Sequence, residues 1–212
     1  MAFDFKKEYK ALYSPTAKPY IVDVPMMPFV MVDGKGNPNT SSAYQNAVGA
    51  LYGISYAIKM SKMSGDAPAG YFDFVVPPLE GLWWNEDDGV ITDLSDKDSF
   101  CWTSMIRLPD FATPKVFENM KTVVAKKKPE LDLSSARLVK FEEGLCAQIL
   151  HIGSYDDEPK STAALEKFIV ELGYFTDFSE NRHHHEIYLS DPRKTATEKL
   201  KTMIRYPIRK KQ

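Results

Sequence analysis

The predicted secondary-structure elements of this chain follow one order, strand–helix–strand–strand, twice in succession, and this repeated order restricts the fold more than any other feature. Helices are recognised by apolar residues at i, i+3, i+4 and i+7, and strands by short β-rich runs between turn residues. No sequence identity between the halves is visible, so only the order repeats. The elements fall at residues 20–32, 44–58, 71–76 and 100–108 in the first half, and at 137–152, 158–172, 174–178 and 184–190 in the second.

Two such modules side by side predict an α+β fold, in which one antiparallel sheet carries both helices on one face. The other face of the sheet is then free to be concave, and a concave face between two halves is a natural ligand cleft. The 212 residues allow one large domain or two small fused ones. We predict an N-terminal arm at 1–19, a single domain at 20–208 with modules at about 20–110 and 111–208, and a tail at 209–212.

Composition and charge narrow the classes of function. The formal net charge of −2 gives no electrostatic reason to expect nucleic acid, and no apolar run approaches the roughly 18 residues that a membrane span needs. Cys101 and Cys146 form no paired motif, and the start of the chain lacks a signal-peptide core, so we expect buried thiols in a cytoplasmic protein. The 3 Trp, 11 Tyr and 12 Phe residues fill either a rich core or the walls of an apolar cavity. The oligomeric state is not indicated.

Glu186 is a single carboxylate in a largely apolar strand near the end of the chain. Strand alternation places it on the same face as His184 and Tyr188. A carboxylate is costly to bury without a partner, so two interpretations remain open. Glu186 is either a half-exposed carboxylate paired with Arg193 or Arg205, or the charged group of a ligand site. In such a site it acts as a cation counter-charge or as an acid/base catalyst.

Two further polar clusters have ordinary explanations. His183, His184 and His185, with His151 as a third ligand, have a spacing that zinc accepts. Nothing else in the chain supplies a matching site, so we expect no metal and no cofactor. The acidic run at residues 156–158 precedes a helix, where negative charge is stabilised by the helix dipole. We interpret this run as helix-end electrostatics and not as a catalytic carboxylate pair.

Six segments form a recognisable series along the chain, at residues 22–25, 33–36, 78–84, 105–111, 151–158 and 186–192. None of them is very specific alone, but their order over about residues 20–208 is. Together they resemble signatures of the GyrI-like small-molecule-binding family. The resemblance implies two fused modules with a ligand cleft between them, which agrees with the repeated order of elements.

The resemblance also suggests a function. Related domains in multidrug-responsive transcription activators bind lipophilic cations in an aromatic pocket with an acidic residue at its base. This chain shows no helix-turn-helix domain and looks more like a stand-alone branch, whose members resemble hydrolases that open the cyclopropane ring of DNA-alkylating natural products. The resemblance therefore implies a cofactor-free hydrolase for hydrophobic, planar, aromatic xenobiotics. The alternative is a module that sequesters amphipathic or cationic drugs, and an inhibitor of a target such as gyrase has less support.

The resemblance makes Glu186 catalytic. For the opening of a spirocyclopropyl dienone we expect Glu186 to activate water, and Tyr188 or Tyr155 to hydrogen-bond to or protonate the dienone oxygen. His184 shares the face of Glu186 and would modulate the pocket. Met31 is kept as a candidate ligand contact, although methionines more often fill gaps in a core. Which tryptophan lines the pocket stays open. The three candidates are Trp83, Trp84 and Trp102.

Overall fold

The computed structural model describes residues 2–64, 67–86 and 96–211. Short 3₁₀ turns connect some of its helices and strands. In chain order the helices and strands are β1 (Phe3–Asp4), α1 (Phe5–Glu8), α2 (Lys10–Tyr13), β2 (Tyr20–Val24), β3 (Met27–Lys35), α3 (Ser42–Lys59), β4 (Phe74–Val75), β5 (Leu79–Asn85), β6 (Phe100–Arg107), α4 (Pro114–Lys127), β7 (Arg137–Phe141), β8 (Gly144–Ile152), α5 (Glu158–Glu171), β9 (Tyr174–Thr176), β10 (His184–Tyr188) and β11 (Lys201–Lys210).

The long helices begin where the sequence supplies caps. The side chain of Ser41 accepts a hydrogen bond from the amide of Tyr44 and so caps α3. Thr113 caps α4 in the same way, ahead of Pro114 in the first turn. Helix α3 then buries one stripe of apolar side chains completely, as its spacing predicts. That stripe consists of Ala47, Ala50, Leu51, Ile54 and Ile58.

The main sheet has nine strands, and eight of them follow the order β2–β8–β11–β10–β5–β6–β3–β7, with β9 paired to β11. Strands β3, β6 and β5 form one module, and strands β8, β11 and β10 form the other. The two modules meet at the antiparallel β5–β10 pair. The leading strands are exchanged: β2 pairs with β8 of the second module, and β7 pairs with β3 of the first. The modules are therefore interlocked.

The helices of both modules lie on one face of the sheet, and the predicted α+β class is confirmed. Helix α3 packs in one apolar cluster with Val30 and Ile106, and α5 packs in another with Ile149 and Ile204. Directly opposed residues of neighbouring strands share a face, and the register connects these positions across the sheet. The face of Glu186 is this helix-bearing face.

The opposite face is covered by the N-terminal arm. Leu12 and Tyr13 of α2 pack into an apolar cluster with Met31, Ile187 and Met203. The sequence predicted a free face with the ligand cleft here, and the structure corrects that prediction, because the arm fills the middle of this face. Glu186 and the polar and aromatic residues around it lie instead on the helix-bearing face.

Two predicted elements change their extent. The strand predicted at 71–76 is reduced to β4, which pairs with β1 and not with the main sheet. Its place in the first module is taken by β5, which supplies the central pair with β10. The tail predicted at 209–212 is shorter than expected, because Arg209 and Lys210 still pair with β9.

The cysteines and the helices bear on two expectations from the sequence, buried thiols and no membrane span. Cys101 and Cys146 are both buried free thiols. Among the described residues, no helix has the length and the hydropathy that crossing a membrane requires.

Candidate active site

Glu186 lies in the middle of the sheet on β10, where the two modules meet. Its cross-strand neighbours are Gly81 of β5 and Ile204 of β11. Glycine is required at position 81, because a Cβ there would lie 2.6 Å from Nε1 of Trp83. Glu186 is 9% exposed and lies on the helix-bearing face, close to the first turn of α5.

A second buried carboxyl lies beside it. Glu158 is the first residue of α5 and is only 1% exposed. An oxygen of Glu158, an oxygen of Glu186 and a ring nitrogen of His184 all lie within 4.8 Å of one another. Burial, and then the negative charge of Glu186, raise the pKa of Glu158 well above its ordinary value. The raised pKa favours the protonated form of Glu158, which is a hydrogen-bond donor suited to the carboxylate of Glu186.

The interpretation of residues 156–158 as helix-end electrostatics is thus corrected for one residue. Asp156 and Asp157 fit it, since both are exposed and pair with surface lysines. Glu158 does not, because its side chain is buried. The signal that was missed is helical spacing: Glu158 precedes Leu165 by seven residues and so falls on the buried stripe of α5.

His184 holds the carboxylate of Glu186 from one side. Its Nε2 atom lies 3.1 Å from Oε1 of Glu186, and a proton on that nitrogen donates to the oxygen. The ring of His184 meets Tyr206 edge to face at 5.2 Å between centroids, which fixes its orientation. As alternation predicts, His184 and Tyr188 flank Glu186 on one face.

The arginines proposed as ordinary ion-pair partners of Glu186 are engaged elsewhere. Arg193 pairs with Asp191 at the surface. Arg205 lies on the opposite face of the sheet and donates to Glu143 at 2.8 Å. Glu186 is therefore not the carboxylate of a structural arginine pair, and this supports its interpretation as a site residue.

The histidine triplet does not assemble as a zinc site. His183 stacks on Trp84 with centroids 4.2 Å apart, and His185 lies between Glu80 and Glu143, 3.0 Å from each. Within the part of the chain that the structure describes, one other group has the spacing of metal ligands. That group is the Glu158–His184–Glu186 cluster described above, in which the pKa of Glu158 is raised by burial and by the charge of Glu186.

Three tyrosines surround the carboxyl pair. The rings of Tyr155 and Tyr188 meet edge to face at 5.9 Å between centroids, and Tyr44 of α3 is a hydrogen-bonding neighbour of Tyr188. Burial, with the negative charge of Glu186 adding to it, raises the pKa of Tyr44 and Tyr155 to about 12 and that of Tyr188 well above its ordinary value. All three hydroxyls stay protonated and act as hydrogen-bond donors. Tyr155 is 36% exposed and forms the rim.

Two of the predicted tryptophans belong to this cluster. Trp83 donates from Nε1 to the hydroxyl of Tyr188 at 3.1 Å and contacts the ring of Tyr44 at 5.8 Å. Trp102 lies beneath Tyr44, edge to face at 5.0 Å, and packs against the bare backbone of Gly34, where a Cβ would lie 2.3 Å from its ring. Trp83 therefore directly contacts two tyrosines of the site, and Trp102 packs behind one of them, Tyr44.

Trp84 and Met31 are not brought together with Glu186. Trp84 follows Trp83 in the same strand and points to the other face, where it stacks on His183. Met31 packs in the apolar cluster under the N-terminal arm. Sequence reasoning also missed Tyr44 as a site residue. The repeated order of elements could have indicated Tyr44, because the repeat brings the first turns of both helices to the junction of the modules.

An antiparallel sheet of two interlocked modules, with a buried acidic and aromatic cluster at their junction, is an arrangement suited to small-molecule binding. The family model described as the GyrI-like small molecule binding domain matches residues 17–209. The chain therefore belongs to the GyrI-like family of small-molecule-binding domains.

Solved structures agree with this assignment. An uncharacterized conserved protein from Listeria innocua is 50% identical, with a TM-score of 0.92, over 98% of this chain and 100% of that one. A hydrolase from Listeria innocua is 47% identical, with a TM-score of 0.89 and the same two coverages. The C-terminal domain of EcmrR shares the fold alone, at 12% identity and a TM-score of 0.52 over 91% of this chain and 98% of that domain. No curated protein sequence matches the chain.

Proposed function

We propose that the protein is a cytoplasmic, cofactor-free hydrolase that opens the cyclopropane ring of planar, hydrophobic cyclopropanoid genotoxins and so detoxifies them. The observation that carries this proposal is the buried pair of Glu186 and protonated Glu158 inside a ring of tyrosine hydroxyls. The similarity to a hydrolase from Listeria innocua supports a hydrolytic reaction.

The reaction adds one water molecule to a spirocyclopropyl dienone. The water oxygen forms a bond to a cyclopropane carbon while the bond from that carbon to the spiro carbon breaks. The released electron pair moves through the ring to the dienone oxygen, which becomes a phenolate. Glu186 accepts one proton of the attacking water and releases it to solvent, the phenolate takes one proton from solvent, and the product is an alcohol and a phenol.

The neighbours of Glu186 orient it for this step. His184 donates to Oε1 of Glu186 at 3.1 Å, and Glu158 donates its own proton to the same carboxylate. These two donors fix the position of the carboxylate and leave a lone pair for water. A base held in this way gains about 10²–10⁴-fold in rate from positioned proton transfer.

The tyrosines act at the other end of the substrate. Because the pKa of Tyr44 and Tyr155 is about 12, these hydroxyls donate hydrogen bonds without giving up their protons. They stabilise the oxygen on which negative charge develops, as donors in an oxyanion hole do. The partly exposed ring of Tyr155 offers a face for a flat aromatic ligand.

The second candidate is a binder that sequesters lipophilic cations without turnover. The acidic group beside aromatic rings favours it, since aromatic faces and a carboxylate both attract an organic cation. The hydrolase is preferred because Glu158 keeps its proton and halves the negative charge that a cation would meet.

The Glu186→Gln variant separates the two candidates. We expect kcat/KM for a spirocyclopropyl dienone to fall by about 10²–10⁴-fold, while the dissociation constant from tryptophan fluorescence changes little. Glu171→Gln, an exposed carboxylate near the end of α5, is the matched control and keeps wild-type turnover. The cation-binder function is supported instead if Glu186→Gln weakens binding of an organic cation and no variant, wild type included, consumes the dienone.

A further inference from the structure

A cavity lies away from Glu186, at the end of β6 and beside β1 and α1. Its volume is about 270 Å³. Four aromatic rings form much of its wall, and one cationic side chain reaches it. The lining residues are Phe3, Phe5, Tyr9, Phe72, Arg107, Leu108, Pro109 and Asp110. We call it the Arg107 cavity.

The guanidinium of Arg107 is the unusual group in this wall. Arg107 is only 5% exposed, and its Cζ atom lies 4.1 Å from the ring centroid of Tyr9 and 4.7 Å from that of Phe5. Its Nε and Nη1 atoms have no hydrogen-bond partner among the described residues. The hydroxyl of Tyr13 is its polar neighbour. Buried donors left without acceptors are rare and costly in native proteins.

The carboxylates on this face of the sheet are already committed to other cations. Glu143 accepts from Arg205 and lies 3.0 Å from His185. Glu80 accepts from Tyr13 and lies 3.0 Å from the other ring nitrogen of His185. Neither Glu143 nor Glu80 therefore forms an ion pair with Arg107.

Asp110 is the acidic residue among those that line the Arg107 cavity, and it lies at the rim of that cavity. Asp110 is exposed, and no ion pair joins it to Arg107 among the described residues. The position nearest the two free nitrogens is therefore suited to one negative charge that the described residues do not supply.

We propose that the Arg107 cavity binds a monocarboxylate that carries an aromatic or short apolar body. One carboxylate oxygen accepts a charge-assisted hydrogen bond from the free Nη1 of Arg107. The apolar body packs on Phe3, Phe5 and Phe72. Tyr9 is 39% exposed, and its ring turns outward to admit the ligand. This site is independent of the proposed hydrolysis at Glu186.

Titration calorimetry with phenylacetate and its neutral isostere phenylacetamide tests the proposal on the full chain. We expect phenylacetate to bind about tenfold more tightly than the amide, the factor that one charge-assisted hydrogen bond supplies. Arg107→Gln removes this preference, and Glu186→Gln keeps it. Equal affinity for acid and amide in the wild type overturns the proposal, as does a preference that survives in Arg107→Gln.

A second variant keeps the test decisive if Arg107→Gln does not fold. Phe72 is 37% exposed, so Phe72→Ala removes part of the apolar wall with little effect on the fold. It should weaken phenylacetate binding by about threefold to tenfold through lost apolar contact while acetate binding is unchanged. Unaltered phenylacetate affinity in a folded Phe72→Ala protein contradicts the assignment of the site.

Discussion

At the scale of single residues, the pair of buried carboxyls decides the chemistry of the site. Glu158 is neutral only while the pH lies below its raised pKa. Above that pKa both carboxyls are charged and repel each other, and Glu186 loses a hydrogen-bond donor. The activity that we propose should therefore be present at neutral pH and decline on the alkaline side.

Glu158→Gln tests this proton directly. The amide N–H of glutamine donates to Glu186 at every pH, so we expect near wild-type kcat/KM at neutral pH and no alkaline decline caused by residue 158. Glu158→Leu, which has no donor, should lower kcat/KM by about 10²-fold. The measurement is a pH profile of kcat/KM, with the exposed Glu166→Gln as control. An alkaline decline that is the same in Glu158→Gln and wild type contradicts the assignment.

Tyr188→Phe tests the tyrosine donors. The change removes a hydroxyl near the developing oxyanion, and we expect kcat to fall by about 10²–10³-fold, as for other oxyanion-hole donors. It also leaves Nε1 of Trp83 without its acceptor, at a cost of about 1–3 kcal/mol in stability. Steady-state kinetics and thermal melting measure the two effects separately. The exposed Tyr56→Phe is the control, and a Tyr188→Phe enzyme with full kcat would rule out this role.

For individual residues, the sequence predicted only what strand alternation determines, namely which side chains share a face. Alternation placed His184, Glu186 and Tyr188 on one face. It could not say which of Trp83 and Trp84 faces Glu186, because that depends on the register with the neighbouring strand. Tyr44 and Glu158 come from helices and had no local pattern linking them to β10.

At the scale of elements, the N-terminal arm is held to the sheet by a buried polar network. Arg205 donates to the carbonyl of Leu12, and Gln148 donates to that of Ala11. Glu143 is the anion at the centre of the network. Burial alone would raise the pKa of Glu143, but His185 and Arg205 outweigh burial and hold it at about 2.

Glu143→Gln should therefore destabilise the fold. Removing one partner of a buried ion pair leaves an uncompensated charge and costs about 3–5 kcal/mol. The folded pKa of Glu143 is depressed, so its contribution is complete above its ordinary value of 4.5 and is lost as the pH falls toward 2. Denaturant unfolding at several pH values should show that the variant loses less stability than wild type over this acidic range. Parallel curves for the two proteins would contradict the proposed role.

The sequence predicted helices and strands correctly where a local pattern, such as a helix cap or an apolar stripe, was strong. The capped, striped helix α3 follows directly from its sequence. The strand predicted at 71–76 was replaced in the module by β5, because both segments are β-rich and only the pairing with β10 distinguishes them. The position of the arm over the sheet depends on buried long-range contacts such as that of Arg205 with Leu12, which no short-range pattern encodes.

At the scale of the whole molecule, the exchange of β2 and β7 makes the two modules one folding unit. The repeated order of elements predicted two modules and the α+β class, but it could not predict the exchange. Adjacent strands in sequence usually pair, and here β2 and β3 do not, nor do β7 and β8.

Separate halves should consequently not fold. Residues 1–110 lack β7 beside β3, and residues 111–212 lack β2 beside β8. We expect each half alone to show no cooperative thermal transition by circular dichroism, and a mixture of the two to regain one. A cooperative transition in the isolated second half would show that the exchange is not needed for folding.

The most direct test of the central claim is the fate of oxygen when the wild-type protein acts on a spirocyclopropyl dienone in heavy-oxygen water. If Glu186 activates water for ring opening, mass spectrometry will find one heavy oxygen in the new alcohol of the product, formed by wild type and not by Glu186→Gln. A dienone that stays intact through a long incubation with wild type, or a labelled product formed equally fast by Glu186→Gln, would contradict the account.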